Sequence, residues 1–295
     1  MLYTLRQQLR TDFTATHDWA SIVAYAVVPW DFEKQLDDFR NRQTKQRIEV
    51  QFDEAEQCLR AYTLSGSADS QPNPALHDKL ENIYGVIRQE LQKWCDSAPK
   101  DAPNEQANRL GMSAASEKRI GNLFHSLNQQ DKAKAAYQKA CELYKRGFEA
   151  YPVNHWVVTQ YLSMIAVLRQ SELVADYGSW WKATRQVAEW QLRDARGEER
   201  AWALGTLLEL ELLGVVYAGS EFNEAAAKGR IAQFCRELRD VAGRDSFPVF
   251  STRRQFFRYR NTWSNESWNG LAEYAMECLP DSQALPAKAQ AATQT

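Results

Sequence analysis

The sequence lacks the short motifs on which the common classes of enzyme depend. Its 295 residues contain neither G-x-G-x-x-G nor G-x-x-x-x-G-K-[ST] for phosphate binding, and no G-x-S-x-G of serine hydrolases. The four histidines are far apart, and neither H-E-x-x-H nor C-x-x-C occurs. These absences predict a protein that is not an enzyme and that holds no cofactor and no metal.

Cysteine is scarce as well, and its pattern bears on the cellular compartment. The five cysteines are dispersed and odd in number, which is typical of reduced thiols in a cytoplasmic protein. Residues Met1 to Arg10 lack the apolar core of a signal peptide, so secretion is not expected. A net charge of -2 gives no general electrostatic reason to bind nucleic acid or a membrane.

One combination of thiol and imidazole stays open as an enzymatic alternative. It joins Cys141 to His125 or His155, and it requires a deep pocket that also holds a carboxylate. Cys141 follows Ala140 on the side of its helix that the pattern predicts to be packed. This position favours a buried thiol without a chemical role.

Long apolar runs are missing except for one stretch near the length of a membrane-spanning helix. Residues Ala201 to Ala218 carry only Glu209 and Glu211 as charged side chains. Because carboxylates are costly in lipid, we interpret the stretch as a central helix of a packed stack. The two glutamates point about 200° apart on a helix, so we expect one to reach solvent and the other, if buried, to need a basic partner.

Strand patterns are nearly absent, and glycine contributes only 13 residues, whereas helical periodicity runs along most of the chain. The predicted fold class is therefore all-α. Two polar, proline-containing loops, residues 65–74 and 97–106, interrupt the helical patterns. They suggest an N-terminal helical region over residues 1–96, a stack of helical hairpins over 107–279 and a disordered tail over 280–295.

The clearest pattern lies between Ser113 and Pro152. Two helical stripes are separated by the polar stretch 128–131, and their members are Ile120, Leu123, Phe124 and Leu127, then Ala133, Tyr137, Ala140, Tyr144, Phe148 and Tyr151. Gly121 and Ala133 let two backbones approach while Phe124 and Tyr137 fill the groove between them. The spacing predicts a tetratricopeptide-type helix pair, with an ordinary helical hairpin as the alternative.

The string from Tyr144 to Pro152 resembles the helical repeat region called the TRAF-binding domain, found in apoptosis-signal-regulating kinases and in many bacterial repeat proteins. The resemblance implies a right-handed α-α superhelix, that is, a tetratricopeptide-like (TPR-like) solenoid, that docks or regulates other proteins without catalysis of its own. No kinase motif accompanies it. The closing proline, Pro152, comes after the position near Lys145 that a repeat of about 34 residues would use, so the second helix is predicted to be extended.

An arginine-rich segment follows the last long helical pattern, and part of it is predicted to form a short helix that Ser251 caps and that ends near Trp263. Residues 244–260 contain five arginines and one acid, Asp245, and Arg254 and Arg258 share a helix face. The opposite stripe, predicted to be buried, is Phe256, Tyr259 and Trp263. These arginines suit an acidic partner helix, a phosphorylated segment or nucleic acid; internal pairing with Glu209, Glu211 or other acids of the stack is the alternative.

We therefore predict an adaptor or regulatory domain that binds a protein partner through the concave face of its hairpin stack. Nucleic-acid or phospho-ligand binding through the arginine segment is the alternative, and no membrane is involved. Trp180 and Trp181 are adjacent, so at least one is expected to be exposed. The candidate contacts are Trp181, Arg253, Arg254, Arg258 and Arg260, together with Lys139, Glu142 and Arg146 on the second helix of the repeat.

Overall fold

A computed structural model describes residues 32–64, 74–168 and 171–279. Within these ranges the chain forms ten α-helices and no strand, which confirms the all-α prediction for this part of the protein. The helices are α1 (Phe32–Leu64), α2 (Pro74–Asp96), α3 (Pro103–Ser126), α4 (Gln130–Ala150), α5 (His155–Val167), α6 (Ser171–Asp194), α7 (Gly197–Tyr217), α8 (Glu224–Ala242), α9 (Phe247–Phe257) and α10 (Glu266–Cys278).

The packing of Cα atoms divides the chain into two units, Met1–Glu54 and Ala55–Thr295. In the first unit the structure describes residues 32–54, all of them in α1. This helix is continuous from Phe32 to Leu64. The boundary predicted near residue 96 stays a prediction. The predicted tail 280–295 lies outside the described residues.

Several helix ends in the second unit have a local cause in the sequence. Asn154, Asn223 and Asn265 precede α5, α8 and α10, and each side chain accepts a hydrogen bond from a backbone N–H of the first turn. Such caps satisfy amide groups that have no partner inside the helix. Gly243 ends α8 with a φ of 86°, a conformation that glycine adopts without steric penalty.

Consecutive helices of the second unit pack against each other. Pairs form along the chain from α2·α3 to α7·α8, and α8 also packs on α10. The odd-numbered helices make a second set of contacts, α3 with α5, α5 with α7, and α7 with α9. We call α3, α5, α7 and α9 the inner helices because most residues of the two in the middle, α5 and α7, are buried.

The helix pair predicted between residues 113 and 152 consists of α3 and α4. A Cβ atom added at Gly121 would lie 2.4 Å from Cε1 of Tyr137, so only glycine allows this close approach. The Tyr137 hydroxyl donates to Oδ1 of Asn122 at 2.9 Å. The predicted contact between the small residue of one helix and the aromatic residue of the next is therefore present.

The segment after α8 differs from the sequence-based expectation. We expected a helix capped by Ser251 and ending near Trp263, but α9 begins at Phe247 and ends at Phe257. Pro248 lies in its first turn, where the fixed φ of proline suits a helix start. The chain then continues as one π-helical turn, Arg258–Thr262, which the Trp263 N–H closes by donating to the Arg258 carbonyl at 2.8 Å.

Candidate functional site

A buried polar network surrounds Glu209 between the inner helices. The Glu209 side chain accepts hydrogen bonds from Gln255 Nε2 and the Tyr259 hydroxyl, both at 2.8 Å, and from Gln160 Nε2 at 2.5 Å. Only 5% of Glu209 is exposed. The carboxylate is therefore held by neutral donors from α5, α9 and the π turn, and it has no direct cationic partner among the described residues.

Two cations lie on the far side of the same glutamines. Lys118 Nζ donates to Oε1 of Gln160 and, at 3.3 Å, to Oε1 of Gln255. Arg258 Nη1 donates to the same Gln255 oxygen at 3.0 Å. The two amides thus face Glu209 with their nitrogen atoms and the cations with their oxygen atoms. Lys118 is 4% exposed and Arg258 is half-buried.

Burial changes the acid–base properties of both cations. Desolvation, followed by repulsion from Arg258, lowers the pKa of Lys118 to about 7, and the attraction of Glu209 only partly opposes this. Desolvation and the nearby Arg254 lower the pKa of Arg258 to about 9. The cations therefore repel each other in a poorly solvated environment.

Two aromatic side chains beside Lys118 have buried polar atoms without a hydrogen-bond partner. They are the Tyr144 hydroxyl and the Trp263 indole N–H. Lys118 Nζ lies 5.8 Å from the ring centroid of each. Burial raises the pKa of Tyr137 to about 12, and the nearby Trp263 indole partly opposes this rise. The indole N–H nevertheless does not meet hydrogen-bond geometry with Tyr137. Unpaired buried donors are uncommon in folded proteins.

A second buried carboxylate, Glu211, lies on another side of α7 and is 2% exposed. Its Oε1 atom pairs with Arg185 Nη2 at 2.8 Å and with Arg230 Nε at 2.7 Å. The expectation that Glu209 or Glu211 reaches solvent is wrong, because neighbouring helices cover both faces of α7. These residues border a cavity of about 290 Å³ lined by Trp181, Lys182, Arg185, Glu211, Gly214, Ala218, Glu221, Phe222, Asn223 and Arg230.

Of the two adjacent tryptophans, the exposed one is Trp180 and not Trp181, which we had predicted to be a contact residue. Trp181 is only 7% exposed, and its indole N–H donates to the Leu210 carbonyl at 2.9 Å. Trp180 is 37% exposed, and its ring packs 4.7 Å from that of Phe148, centroid to centroid. One member of the pair is exposed as expected, but Trp181 lies against α7 and is not an open contact surface.

On α4, the three predicted contact residues keep exposed positions. Lys139 Nζ pairs with Glu117 Oε1 at 2.8 Å, and this buried carboxylate also accepts hydrogen bonds from Arg88. Lys139 therefore has a structural partner. Glu142 and Arg146 lie on the solvent-facing side of α4, as the pattern predicted.

The arginines of the segment 244–260 do not act as one surface. Arg253 Nε donates to the Leu279 carbonyl at 2.8 Å, and Arg260 Nε lies 3.8 Å from Glu273 Oε2. Arg258 points into the polar network. The internal alternative is thus correct for part of the segment, although direct pairing with Glu209 or Glu211 does not occur.

Sequence reasoning missed an exposed aromatic face on α9. Phe247, Phe250 and Phe257 are 54%, 36% and 47% exposed. Arg254 lies between them on the helix, with its guanidinium carbon 5.3 Å from the Phe250 ring centroid. The spacing of 3, 4 and 3 residues along 247–257 places all four on one side of a helix. This set, called the α9 face below, was detectable in the sequence as a second stripe opposite Phe256.

The thiol and imidazole alternative receives no geometric support. Burial raises the pKa of Cys141 to about 12, which disfavours the thiolate. The His155 ring nitrogens lie 3.0 Å from Thr206 Oγ1 and 2.5 Å from Gln191 Oε1, so neutral side chains occupy both.

The functional assignment rests on the contacts described above, without a metal site among the described residues and without a matching protein. In the part of the chain that the structure describes, no three His, Cys, Asp or Glu side chains are grouped to hold a metal ion. The helices in those same ranges also lack the length and apolar character that crossing a bilayer requires. Comparison of the chain with protein-family models, curated proteins and solved structures gives no match.

Proposed function

We propose that the protein is a non-catalytic helical-repeat adaptor or regulatory domain whose α9 face binds a protein partner. The observation that carries this proposal is the exposure of three phenylalanines on one side of a single helix. Exposed aromatic clusters of this kind commonly mark sites of interaction, since water solvates them poorly.

The packing order of the helices supports a TPR-like stack. Each helix from α3 to α8 packs on its neighbours in sequence, and the inner helices α3, α5, α7 and α9 also contact one another in that order. Both sets of contacts are typical of a right-handed α-α superhelix built from hairpins. On this interpretation α3 and α4 form a repeat unit, and α9 belongs to the row that lines the concave side.

The charge of α9 indicates the chemistry of the partner. The helix and the following π turn contain no acidic residue. Arg254 lies within the phenylalanine stripe itself. An amphipathic helix with apolar anchors flanked by Asp and Glu would complement both properties. We therefore propose an acidic amphipathic helix as the occupant.

A direct test uses a synthetic acidic amphipathic peptide of about twenty residues and measures binding by fluorescence anisotropy. We expect saturable binding that the double substitution Phe250→Asp and Phe257→Asp weakens by about tenfold or more, since it removes two apolar anchors and adds like charge. Trp190→Asp with Val86→Asp is the matched control, because these residues are 53% and 46% exposed on other helices.

Three results would reject the assignment of the α9 face: no saturable binding, equal loss in the control variant, or equal binding of a scrambled peptide. A concentration-dependent dimer that disappears in the Phe250→Asp, Phe257→Asp variant would also reject it, because a second copy of the chain would then be the occupant. Nucleic acid is not proposed, since Arg253 binds the Leu279 carbonyl and Arg260 lies beside Glu273, so the arginines do not form one surface.

A further inference from the structure

The polar network between the inner helices carries more positive than negative charge. Lys118 and Arg258 donate only to glutamine oxygens, and no carboxylate of the described residues lies within ion-pair distance of either. Glu209 is the one acid of the network and is already bonded to neutral donors. Uncompensated positive charge in a poorly solvated site favours a bound anion.

The unpartnered aromatic groups provide a second, independent observation. The Tyr144 side chain is fully buried, and its hydroxyl has no hydrogen-bond partner. The Trp263 indole N–H, in a residue that is 7% exposed, also has none, and because it can only donate, its missing partner is an acceptor. Both rings flank the Lys118 ammonium. The two unpartnered groups thus belong to side chains whose ring centroids both lie 5.8 Å from the Lys118 ammonium.

We propose that Lys118, Arg258 and Tyr144 form a binding site for a phosphate group, supplied either as free phosphate or as a phosphorylated serine. A phosphate carries up to two negative charges and offers three strong acceptor oxygens, which matches two cations and a neutral donor. The site uses none of the phenylalanines of the α9 face and is independent of docking there.

The local backbone explains how the site is reached. Arg258 begins the π turn, whose extra residue per turn changes the direction of its side chains relative to α9. Its half-buried guanidinium uses one nitrogen on Gln255 and keeps further donors. An anion that approaches from solvent therefore meets Arg258 first and the more deeply buried Lys118 after it.

The test is isothermal titration calorimetry of the full chain at constant ionic strength, with inorganic phosphate, O-phosphoserine and serine as ligands. We expect saturable binding of phosphate with a Kd of roughly millimolar or tighter. Lys118→Met should weaken it by about tenfold or more, and Tyr144→Phe by about threefold, since each removes a contact to the anion. Lys228→Met, which removes a half-buried lysine that pairs with Glu224 far from this network, should leave it unchanged.

The outcomes separate the sources of the phosphate and decide the proposal. Binding of phosphate alone identifies the free anion, and equal binding of O-phosphoserine identifies a phosphorylated residue; serine should not bind. No saturable heat in the native chain, or unchanged affinity in Lys118→Met, overturns the site. Tyr144→Phe keeps every charge and almost the same volume, so full affinity in that variant overturns it even if Lys118→Met is poorly folded. The Phe250→Asp, Phe257→Asp variant should still bind phosphate.

Discussion

Lys118 is a buried lysine whose pKa of about 7 makes stability depend on pH. The other charged and titratable groups that act on it or lie beside it are Arg258, Arg254, Glu209 and Tyr144. Above pH 7 the folded protein releases the Lys118 proton, whereas the unfolded chain keeps it up to about pH 10.5. The unfolded state then binds more protons, so this residue makes stability rise with pH across that window.

Replacing Lys118 by Met should remove this dependence. We expect the free energy of unfolding of the native chain, relative to that of Lys118→Met, to rise by roughly 1 kcal/mol per pH unit between about pH 7 and about pH 9. Urea denaturation of both proteins in phosphate-free buffer measures the difference. Lys228→Met, which changes a half-buried lysine paired with Glu224, serves as the control. Equal slopes for the native chain and Lys118→Met would contradict the burial of a charged ammonium.

Two glycines inside helices have opposite surroundings and should respond oppositely to alanine. Gly121 in α3 has no room for a Cβ, which would lie 2.4 Å from Tyr137, whereas a Cβ at Gly229 in α8 meets nothing within 4 Å. We expect Gly121→Ala to lower the free energy of unfolding by about 1–3 kcal/mol through overpacking. Gly229→Ala should raise it by about 0.5–1 kcal/mol through helix propensity. Thermal and urea unfolding measure both effects. An unchanged free energy of unfolding in Gly121→Ala would mean that α3 and α4 pack less closely than the 2.4 Å approach at Tyr137 requires.

The sequence predicted an all-helical fold because the causes of helix formation are local. Asn154, Asn223 and Asn265 precede the observed starts of α5, α8 and α10, and the stripe of Phe256, Tyr259 and Trp263 is buried as expected. Periodicity and capping act within one or two turns, so a single chain reveals them. The start of α9 was misplaced because Ser251 resembles a cap, whereas Pro248 marks the real first turn.

The candidate site was less predictable because its partners come from distant parts of the chain. Glu209 meets Gln160 and Gln255, and no periodic pattern links these positions. Trp181 was chosen as a contact over Trp180 although adjacency alone cannot say which of the two faces α7. Their burial depends on how helices pack, and that information is not local.

The network around Glu209 joins helices that are far apart in the sequence, so its loss should be felt well beyond α7. We expect Glu209→Ala to lower the free energy of unfolding by roughly 3 kcal/mol, because buried donors on α5, α9 and the π turn lose their acceptor. Hydrogen exchange should increase in α3 and α9 as well as in α7. Glu199→Ala, in the exposed first turn of the same helix, should change stability by about 0.5 kcal/mol or less. An effect confined to α7 would mean that the network does not couple the inner helices.

The contact between Arg253 and the carbonyl of Leu279 fastens the residue that follows α10 to α9. Leu279 is fully covered, and its backbone is fastened to α9. A chromophore attached near Leu279 would therefore be held close to α9, the helix that carries Phe250 and Phe257. Binding of a peptide helix that carries a second dye to the α9 face would then produce energy transfer between the two dyes. The fraction of occupied protein could thus be followed over time by fluorescence.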